Sequence, residues 1–570
     1  MLKLSLSAVD YVILIIYFAI VVAIGALARR AVATSEDFLL AGRSLPAWIT
    51  GLAFIAANLG AIEILGMAAN GAQYGLMTAH FYWIGAVPAM VFLGLVMMPF
   101  YYGSRVRSVP EYLRLRFNKP THVFNALTFA LSSVLIAGVN LFALALVLEA
   151  LLGWSVYISI VVAAVFVALY ITLGGLSGAI YNEVMQFFVI LAGLIPLVVV
   201  GLYRVGGWHG LTQKIEHPGP GDTSPLYQWG HKAFTLWEGT SSSSTNPLGA
   251  SWFAIVFGLG FVLSFGYWTT NFAEVQRCLA AKNLSAARRT PLIGAYPKIF
   301  IPALTIIPGL IAVVIFPTLG TDPNSGLTYN NAIPLLMGQF LPSGVLGVAV
   351  TGLLAAFMAG MAANVSSFNT VVTYDLWQPY IRRGRSDAYY LNVGRAATVV
   401  GIVVGVFTAI IASGYQNIMN YIQLLFSVFN APLFATFIIA MFWKRATPWA
   451  GLAGLIAGTV GALVTHVLYT GLILFGGPTL FDPVLHFGSD QDANFWGAIV
   501  AFVADAIVTV IVSLLTKPKP ESQLRGLVHG LARVDTREEV PASDRVWFRN
   551  PMLLGFTALG LCAALNVIFY

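Results

Sequence analysis

Charged side chains are scarce in this chain of 570 residues, since only 9% of its residues are Asp, Glu, Lys or Arg. Soluble domains carry about 25% charged residues, so a water-soluble fold is excluded. Cysteine is rarer still, with two residues, which excludes a disulfide framework and a cysteine-based metal site. The sequence is instead 58% hydrophobic, with a mean hydropathy of +0.82. This composition indicates a polytopic protein embedded in a lipid bilayer.

Motifs of membrane-bound enzymes are also missing. The chain has no glycine-rich phosphate loop ending in Lys-Ser or Lys-Thr and no His-Glu-x-x-His pair, which gives no support to a pump ATPase or a zinc protease. The two longest polar stretches, 205–249 and 517–549, are too short for a catalytic domain. We therefore expect a protein that is not an enzyme and has no cofactor, with its function inside the helix bundle.

Long apolar runs predict an all-α fold of about fourteen membrane-spanning helices, because about 20 apolar residues cross a bilayer core of roughly 30 Å. The first run, 8–28, has no cleavage site and is interpreted as a span and not as a signal peptide. The predicted spans are 8–28, 47–71, 78–101, 122–151, 155–173, 179–204, 250–273, 291–317, 343–377, 391–413, 418–443, 449–475, 494–516 and 551–569.

The positive charges orient these spans. Of the 30 Lys and Arg residues, 25 fall in loops that share one side of the predicted bundle. Cytoplasmic loops carry the excess of Lys and Arg, so this side is predicted to be cytoplasmic in a plasma (inner) membrane. Both termini and the loop 205–249 then lie outside. The net charge of +7 is explained by the basic residues of the cytoplasmic loops, so we expect no nucleic-acid partner.

Two predicted spans look interrupted near the middle of the membrane. The second contains small residues around Asn58 and Gly60, followed by the carboxylate of Glu63. The seventh has Gly258, Gly260 and Gly266 and then the polar run 267–271. The interruptions lie five spans apart, as in transporters built from two inverted repeats whose first helices are broken.

Short motifs in this order resemble the sodium/solute symporter family, and within it the sodium-coupled sugar transporters. They are LAGRSLP at 40–46, SVPEYL at 108–113, GGLS at 174–177, QR at 276–277 with AAK at 280–282, and FWK at 442–444. The resemblance implies a leucine-transporter-like core of two inverted five-helix repeats. The implied segments are 1–46 (first helix and cytoplasmic loop), 47–204 (first repeat), 205–249 (extracellular loop), 250–445 (second repeat) and 446–570 (C-terminal helices).

The resemblance also implies a site for a small polar solute. Lys298, Gln423, Asn140 and Tyr267 occupy positions that contact sugar, or close the sugar cavity, in the sugar transporters. Three positions depart from that pattern: Glu63 replaces a glutamine, Tyr82 replaces a glutamate and Ser264 replaces an asparagine. Ionisable groups inside spans are functional candidates by default. A sugar is the preferred solute, with monocarboxylates, polyols, amino acids and nucleoside-like solutes as alternatives.

For sodium, the resemblance implies a site of backbone carbonyls and two hydroxyls. The carbonyl positions correspond to Ala56, Leu59 and Ala356, whereas the hydroxyl positions correspond to Ala359 and Gly360, which have no side-chain oxygen.

Glu183 stands where the family commonly has an aspartate, and its extra methylene offers a compensating carboxylate. It would bind sodium directly, or bind and release a proton. The leading hypothesis is a sodium-coupled symporter working by alternating access. The alternatives are proton coupling through Glu183, an uncoupled uniporter and, least favoured, a non-transporting sensor.

Overall fold

The computed structural model describes residues 6–29, 41–103, 106, 108–220, 222–322, 326–471, 481–529, 531 and 546–570. Within these ranges the chain is helical, and its single extended pairing is an isolated bridge between Leu45 and Ala281. Several basic residues used for the topology, including those at 532–545, lie outside the described residues.

The helices are numbered in chain order. The first half contains α1 (Ala8–Arg29), α2 (Ala47–Asn58), α3 (Ile62–Ala79), α4 (Phe81–Tyr102), α5 (Val109–Arg116), α6 (Lys119–Leu152), α7 (Val156–Val205) and α8 (Gly207–Glu216). The second half contains α9 (Ala254–Thr270), α10 (Phe272–Leu279), α11 (Leu284–Ile315), α12 (Ala332–Phe340), α13 (Val345–Ile381), α14 (Asp387–Ala412), α15 (Ile418–Phe442), α16 (Ala450–Thr470), α17 (Asp490–Leu515) and α18 (Pro551–Ile568).

The all-α polytopic fold is confirmed, but the count of fourteen spans is not. Among the described residues, 11 helices are long and apolar enough to cross a membrane, and up to 13 if each of two bent pairs is one span. The difference lies in α7, a helix of 50 residues, where Gly178–Val205 is long enough to be a span and the apolar segment Val156–Ala168, within the predicted span 155–173, is shorter. Gly174 and Gly175 lie between the two predicted spans, and here the helix continues through them.

The first break separates α2 from α3, which meet at a bend of 56°. A break leaves backbone N–H groups without helical partners, and these must be satisfied inside a membrane protein. Asn140 on α6 does this, because its Oδ1 accepts a hydrogen bond from the Ala61 backbone N–H at 2.9 Å. A Cβ atom on Gly60 would lie 2.5 Å from the same oxygen, so the approach of α6 requires glycine at this position.

The second break separates α9 from α10 with a bend of 49°. It falls at Asn271, whose extended backbone ends α9 and whose Oδ1 accepts a hydrogen bond from the Ala273 N–H at 2.9 Å. The glycines expected at the interruption lie instead within the helical part of α9. They serve packing: a Cβ on Gly266 would lie 2.9 Å from the Asn430 carbonyl oxygen of α15.

Loops next to the two broken helices meet. The Lys282 N–H donates to the Leu45 carbonyl at 2.9 Å, and the Leu45 N–H donates to the Ala280 carbonyl at 3.2 Å. The motif segments before α2 and after α10 are thus paired through their backbones. This pairing holds the two breaks side by side in the bundle.

The C-terminal helices pack beside the core. In α17, Asp505 accepts hydrogen bonds from the hydroxyls of Thr436 at 2.7 Å and Thr509 at 3.1 Å. A Cβ on Gly454 of α16 would lie 2.7 Å from an oxygen of this carboxylate. The glycines of α16 therefore allow close helix contact, as expected for small residues in membrane helices.

Candidate functional site

A cavity lies between the two broken helices, with about 450 Å³ of empty space when its open part is included. Its walls come from α2, α3, α4, α9 and α15. Among the described residues, they comprise Asn58, Ile62, Glu63, Met67, Phe81, Tyr82, Ala86, Leu259, Leu263, Ser264, Tyr267, Trp268, Met419, Gln423 and Phe426. Five of the seven residues expected to bind solute are in this set: Glu63, Tyr82, Ser264, Tyr267 and Gln423.

The lining helices share a local distortion. α3, α4, α9 and α15 each contain a π-helical segment, at Ile62–Gly66, Phe81–Ala86, Ala254–Ser264 and Phe426–Asn430. Such wider turns occur frequently at functional sites. In α9 the Ser264 hydroxyl donates to the carbonyl of Leu259, five residues earlier, at 2.8 Å. The Ser264 hydroxyl proton is therefore already used within the helix.

Lys298 of α11 lies behind the cavity wall and is paired there. Its Nζ is 2.6 Å from Glu63 Oε1 and also contacts Asn58 Oδ1. The ammonium further lies 5.0 Å from the ring centre of Tyr82 and 5.1 Å from that of Trp268. Lysine is 1% exposed here, and its charge is balanced by the neighbouring carboxylate and the aromatic faces.

Tyr267 closes the cavity at the end that the topology predicts to be cytoplasmic. Its ring packs on Phe426 with the ring centres 4.6 Å apart. Its hydroxyl accepts a hydrogen bond from Asn58 Nδ2 at 3.1 Å and donates one to Glu274 Oε1 at 2.7 Å. One phenol group thus joins the last residue of α2 to the first turn of α10.

Glu274 is a site residue that the sequence reasoning missed. The predicted span 250–273 ends just before Glu274, whereas the structure buries this residue at 2% exposure next to Tyr267. A carboxylate three residues after Asn271, flanked by Ala273 and Val275, is the signal that could have identified it.

Two acceptors of the cavity have no hydrogen-bond partner among the described residues. They are Glu63 Oε2 and Gln423 Oε1, both buried. Buried polar atoms are normally satisfied by protein, water or ligand. The Gln423 amide nitrogen donates to the weak acceptor Met419 Sδ at 4.0 Å. The cavity wall therefore offers two acceptors and a weakly used amide donor, which suits a solute with hydroxyl groups.

Asn140 was expected to contact solute, and the structure places it differently. Its amide is held at the break by Ala61 and donates to the Ile136 carbonyl at 3.2 Å. It also lies against α13, since a Cβ on Gly360 would be 2.8 Å from Asn140 Cγ. Asn140 thus fills the space between Gly60 and Gly360 and is not among the lining residues given above.

The segments that carry the expected ion positions meet beside the first break, since a Cβ on Gly60 would lie 3.3 Å from Gly360 Cα. Ala356, Ala359 and Gly360 lie buried on α13, and the Ala56 carbonyl accepts a hydrogen bond from the Leu59 N–H at 3.1 Å. Glu183 was expected to reach the space beside Ala359 and Gly360. In the structure its two oxygens instead accept hydrogen bonds from Arg277, through Nε at 3.3 Å and through Nη2.

This architecture defines a class of membrane protein. Two broken helices that meet at a buried polar cavity, each opening a repeat, are typical of secondary transporters. The profile of the sodium:solute symporter family matches residues 38–458, more than half of the chain. The chain belongs to the sodium:solute symporter family, and it is a transporter and not an enzyme.

Relatives and solved structures agree with this assignment. The chain is 30% identical to the sodium/glucose cotransporter of Vibrio parahaemolyticus over 483 residues, which cover 80% of this chain and 85% of the relative. It is 28% identical to the sodium/myo-inositol cotransporter 2 of Oryctolagus cuniculus over 565 residues, covering 95% and 82%. The structure of a Na⁺-coupled sialic acid symporter in a substrate-bound, outward-open state matches with a TM-score of 0.69 at 18% identity, covering 90% and 99%. The last comparison supports the leucine-transporter-like fold alone.

Proposed function

We propose that this protein couples the uptake of a neutral polyhydroxylated solute, a sugar or a cyclic polyol, to the entry of sodium. The observation that carries the proposal is the pair of buried acceptors without partners, Glu63 Oε2 and Gln423 Oε1, in the wall of one cavity. Sugar and polyol hydroxyls donate hydrogen bonds to such acceptors. The rings of Tyr267 and Phe426 offer apolar faces for the C–H groups of a sugar ring.

The charges near the cavity disfavour a monocarboxylate. An anion needs a donor or a cation, and Lys298 already contacts Glu63 and Asn58. Glu63 itself lines the cavity, so an anionic solute would face a carboxylate at close range. Like charges at short distance in a low-dielectric site repel strongly. A neutral solute avoids this repulsion and still satisfies the two acceptors.

The family and the names of the relatives support both parts of the proposal, the polyhydroxylated solute and the sodium ion. The profile that matches the chain is that of sodium:solute symporters. The relatives described above are named as cotransporters of sodium with glucose and with myo-inositol. Both solutes are rings that carry several hydroxyl groups. At about 30% identity, these names support the same class of solute for this protein, and they do not support one particular solute.

Uptake into proteoliposomes tests the proposal. Labelled hexoses, myo-inositol, lactate and alanine are supplied with an inward sodium gradient, an inward proton gradient or neither. We expect a hexose or inositol to accumulate with the sodium gradient. Gln423→Leu should reduce this uptake at least tenfold by removing an acceptor, whereas Gln213→Leu on exposed α8 should leave it unchanged. Accumulation of lactate or alanine alone, or hexose uptake that is indifferent to sodium, would contradict the proposal.

A further inference from the structure

Five buried ionisable groups surround the two breaks, and their charges do not balance. Three are carboxylates, Glu63, Glu183 and Glu274, and two are cations, Arg277 and Lys298. Each is at most 8% exposed. One negative charge is therefore in excess at the centre of the helix bundle.

The two cations are each committed to a carboxylate other than Glu274. Lys298 pairs with Glu63 at 2.6 Å, and Arg277 binds both oxygens of Glu183. The remaining Arg277 nitrogen, Nη1, donates to the Ala273 carbonyl at 2.8 Å and to Gln276 Oε1 at 3.3 Å. Among the described residues, neither cation lies within ion-pair distance of Glu274.

Glu274 holds the excess charge with little compensation. Its Oε1 accepts the Tyr267 hydroxyl proton at 2.7 Å, while its Oε2 is buried without a hydrogen-bond partner. Its place in the first turn of α10 is favourable for an anion, but a helix N-terminus offsets only a small part of the desolvation of a buried charge. A buried carboxylate in these surroundings is neutralised either by a further cation or by a proton.

We propose that Glu274 binds the coupling sodium ion, with Oε2 as the ligand that the protein leaves open. This rests on the proposed function, which supplies sodium as the transported ion. Sodium is a hard cation that needs oxygen ligands, and the hydroxyl oxygens expected at Ala359 and Gly360 are absent. The space next to Gly360 is taken by the amide of Asn140, and Glu183 is neutralised by Arg277. Glu274 is the carboxylate that remains available.

The position of this site explains how ion and solute would be coupled. Tyr267 lines the solute cavity with its ring and holds Glu274 through its hydroxyl. Neutralising Glu274 with sodium changes the acceptor on which the Tyr267 hydroxyl depends. Because one residue contacts both sites, occupancy of one affects the affinity of the other, and the effect is reciprocal.

Sodium binding by the purified full-length protein, without any solute, tests the proposal. The thermal unfolding midpoint is measured in NaCl and in choline chloride at equal ionic strength and fixed pH. Wild-type protein should be stabilised by sodium, and Glu274→Gln should lose this response. Asp505→Asn neutralises a buried carboxylate in the peripheral helices and should keep it. In binding measurements with radioactive sodium, Glu274→Gln should bind sodium with an affinity at least tenfold lower than wild type, whereas Asp505→Asn should not.

The outcomes separate this proposal from the proposed function. A sodium response in wild type that Glu274→Gln retains overturns the site at Glu274 and leaves sodium coupling intact. If sodium does not stabilise the wild-type protein, both the site at Glu274 and the proposed sodium coupling are overturned. This holds also if lower pH stabilises the protein and sodium does not.

A measurement on wild type covers the case in which Glu274→Gln does not fold. Sodium should protect Glu274 from dicyclohexylcarbodiimide, as measured by mass spectrometry of the peptide. Two results would overturn the proposal. One is labelling of Glu274 to the same extent with and without sodium, and the other is no labelling of Glu274 in either condition.

Discussion

Asn58, the last residue of α2, donates a hydrogen bond to the Tyr267 hydroxyl at 3.1 Å and so joins the ends of the two broken helices. The same hydroxyl continues to Glu274 on α10. The end of the cavity is therefore closed by a chain of three polar side chains from both repeats. Movement of the two broken helices relative to each other would break this chain, so its side chains are a direct place to test alternating access.

Tyr267→Phe should weaken the closed end of the cavity without removing the aromatic face on Phe426. Hydrogen bonds to charged groups contribute about 1.5–3 kcal/mol, which corresponds to about a 10- to 150-fold change in an equilibrium. We expect faster solute efflux from loaded proteoliposomes in the absence of sodium. Tyr203→Phe, at a residue 82% exposed on α7, is the control. Equal efflux from the two variants would show that the hydroxyl does not close the cavity.

Lys298→Met should destabilise the protein strongly, because it leaves Glu63 buried without its ion-pair partner. Removing one member of a buried pair typically costs about 3–5 kcal/mol. Adding Glu63→Gln should recover most of the unfolding midpoint, since no unpaired charge then remains. Thermal unfolding of both single variants and the double variant in detergent measures this coupling. Additive losses in the double variant would mean that the two side chains do not act as a pair.

Gly360→Ser restores a hydroxyl at a position where the family pattern has one, but we expect it to be harmful. The new Cβ would lie 2.8 Å from Asn140 Cγ and 3.1 Å from Nδ2. Overpacking of this kind costs about 1–3 kcal/mol. Asn140→Ala should relieve the clash in the double variant, although the Ala61 N–H then loses its partner. A stable Gly360→Ser single variant would show that Asn140 does not occupy this space.

Topology is tested by thiol labelling at two exposed serines. Ser241 lies in the loop 205–249 and Ser522 in the loop after α17. Both native cysteines are buried, so background labelling should be low. In intact cells an impermeant thiol reagent should label Ser241→Cys and not Ser522→Cys. The reverse pattern would invert the orientation that the basic loops predict.

Sequence reasoning located most helices and the first break because hydropathy and small residues act locally along the chain. It assigned the second break to the correct span, but the break falls at Asn271 and not at the glycines. It also placed Glu63, Tyr267 and Gln423 in one cavity, since the family resemblance fixes which spans meet. It could not assign partners among the buried charges. Whether Arg277 pairs with Glu183 or with Glu274 depends on the rotation of α7 and α10 about their axes, which hydropathy does not determine.

Asn140 illustrates the same limit for a neutral side chain. Its position on α6 indicated a residue inside the bundle, and the structure agrees. Its amide, however, is fixed by the Ala61 N–H that the break leaves free, a requirement that arises only when α3 and α6 are packed together. The glycines of α9 were misassigned for a related reason, because glycine permits both a break and close packing, and here it provides packing.

The central claim, entry of sodium with a neutral polyhydroxylated solute, is tested most directly by transport current in proteoliposomes on a solid-supported membrane. A neutral solute that enters with sodium moves net positive charge, whereas a monocarboxylate entering with one sodium ion moves none. Addition of a hexose or myo-inositol in sodium buffer should therefore give an inward positive current that disappears in choline buffer. Absence of current with every neutral solute, together with sodium-dependent uptake of a carboxylate, would contradict the account.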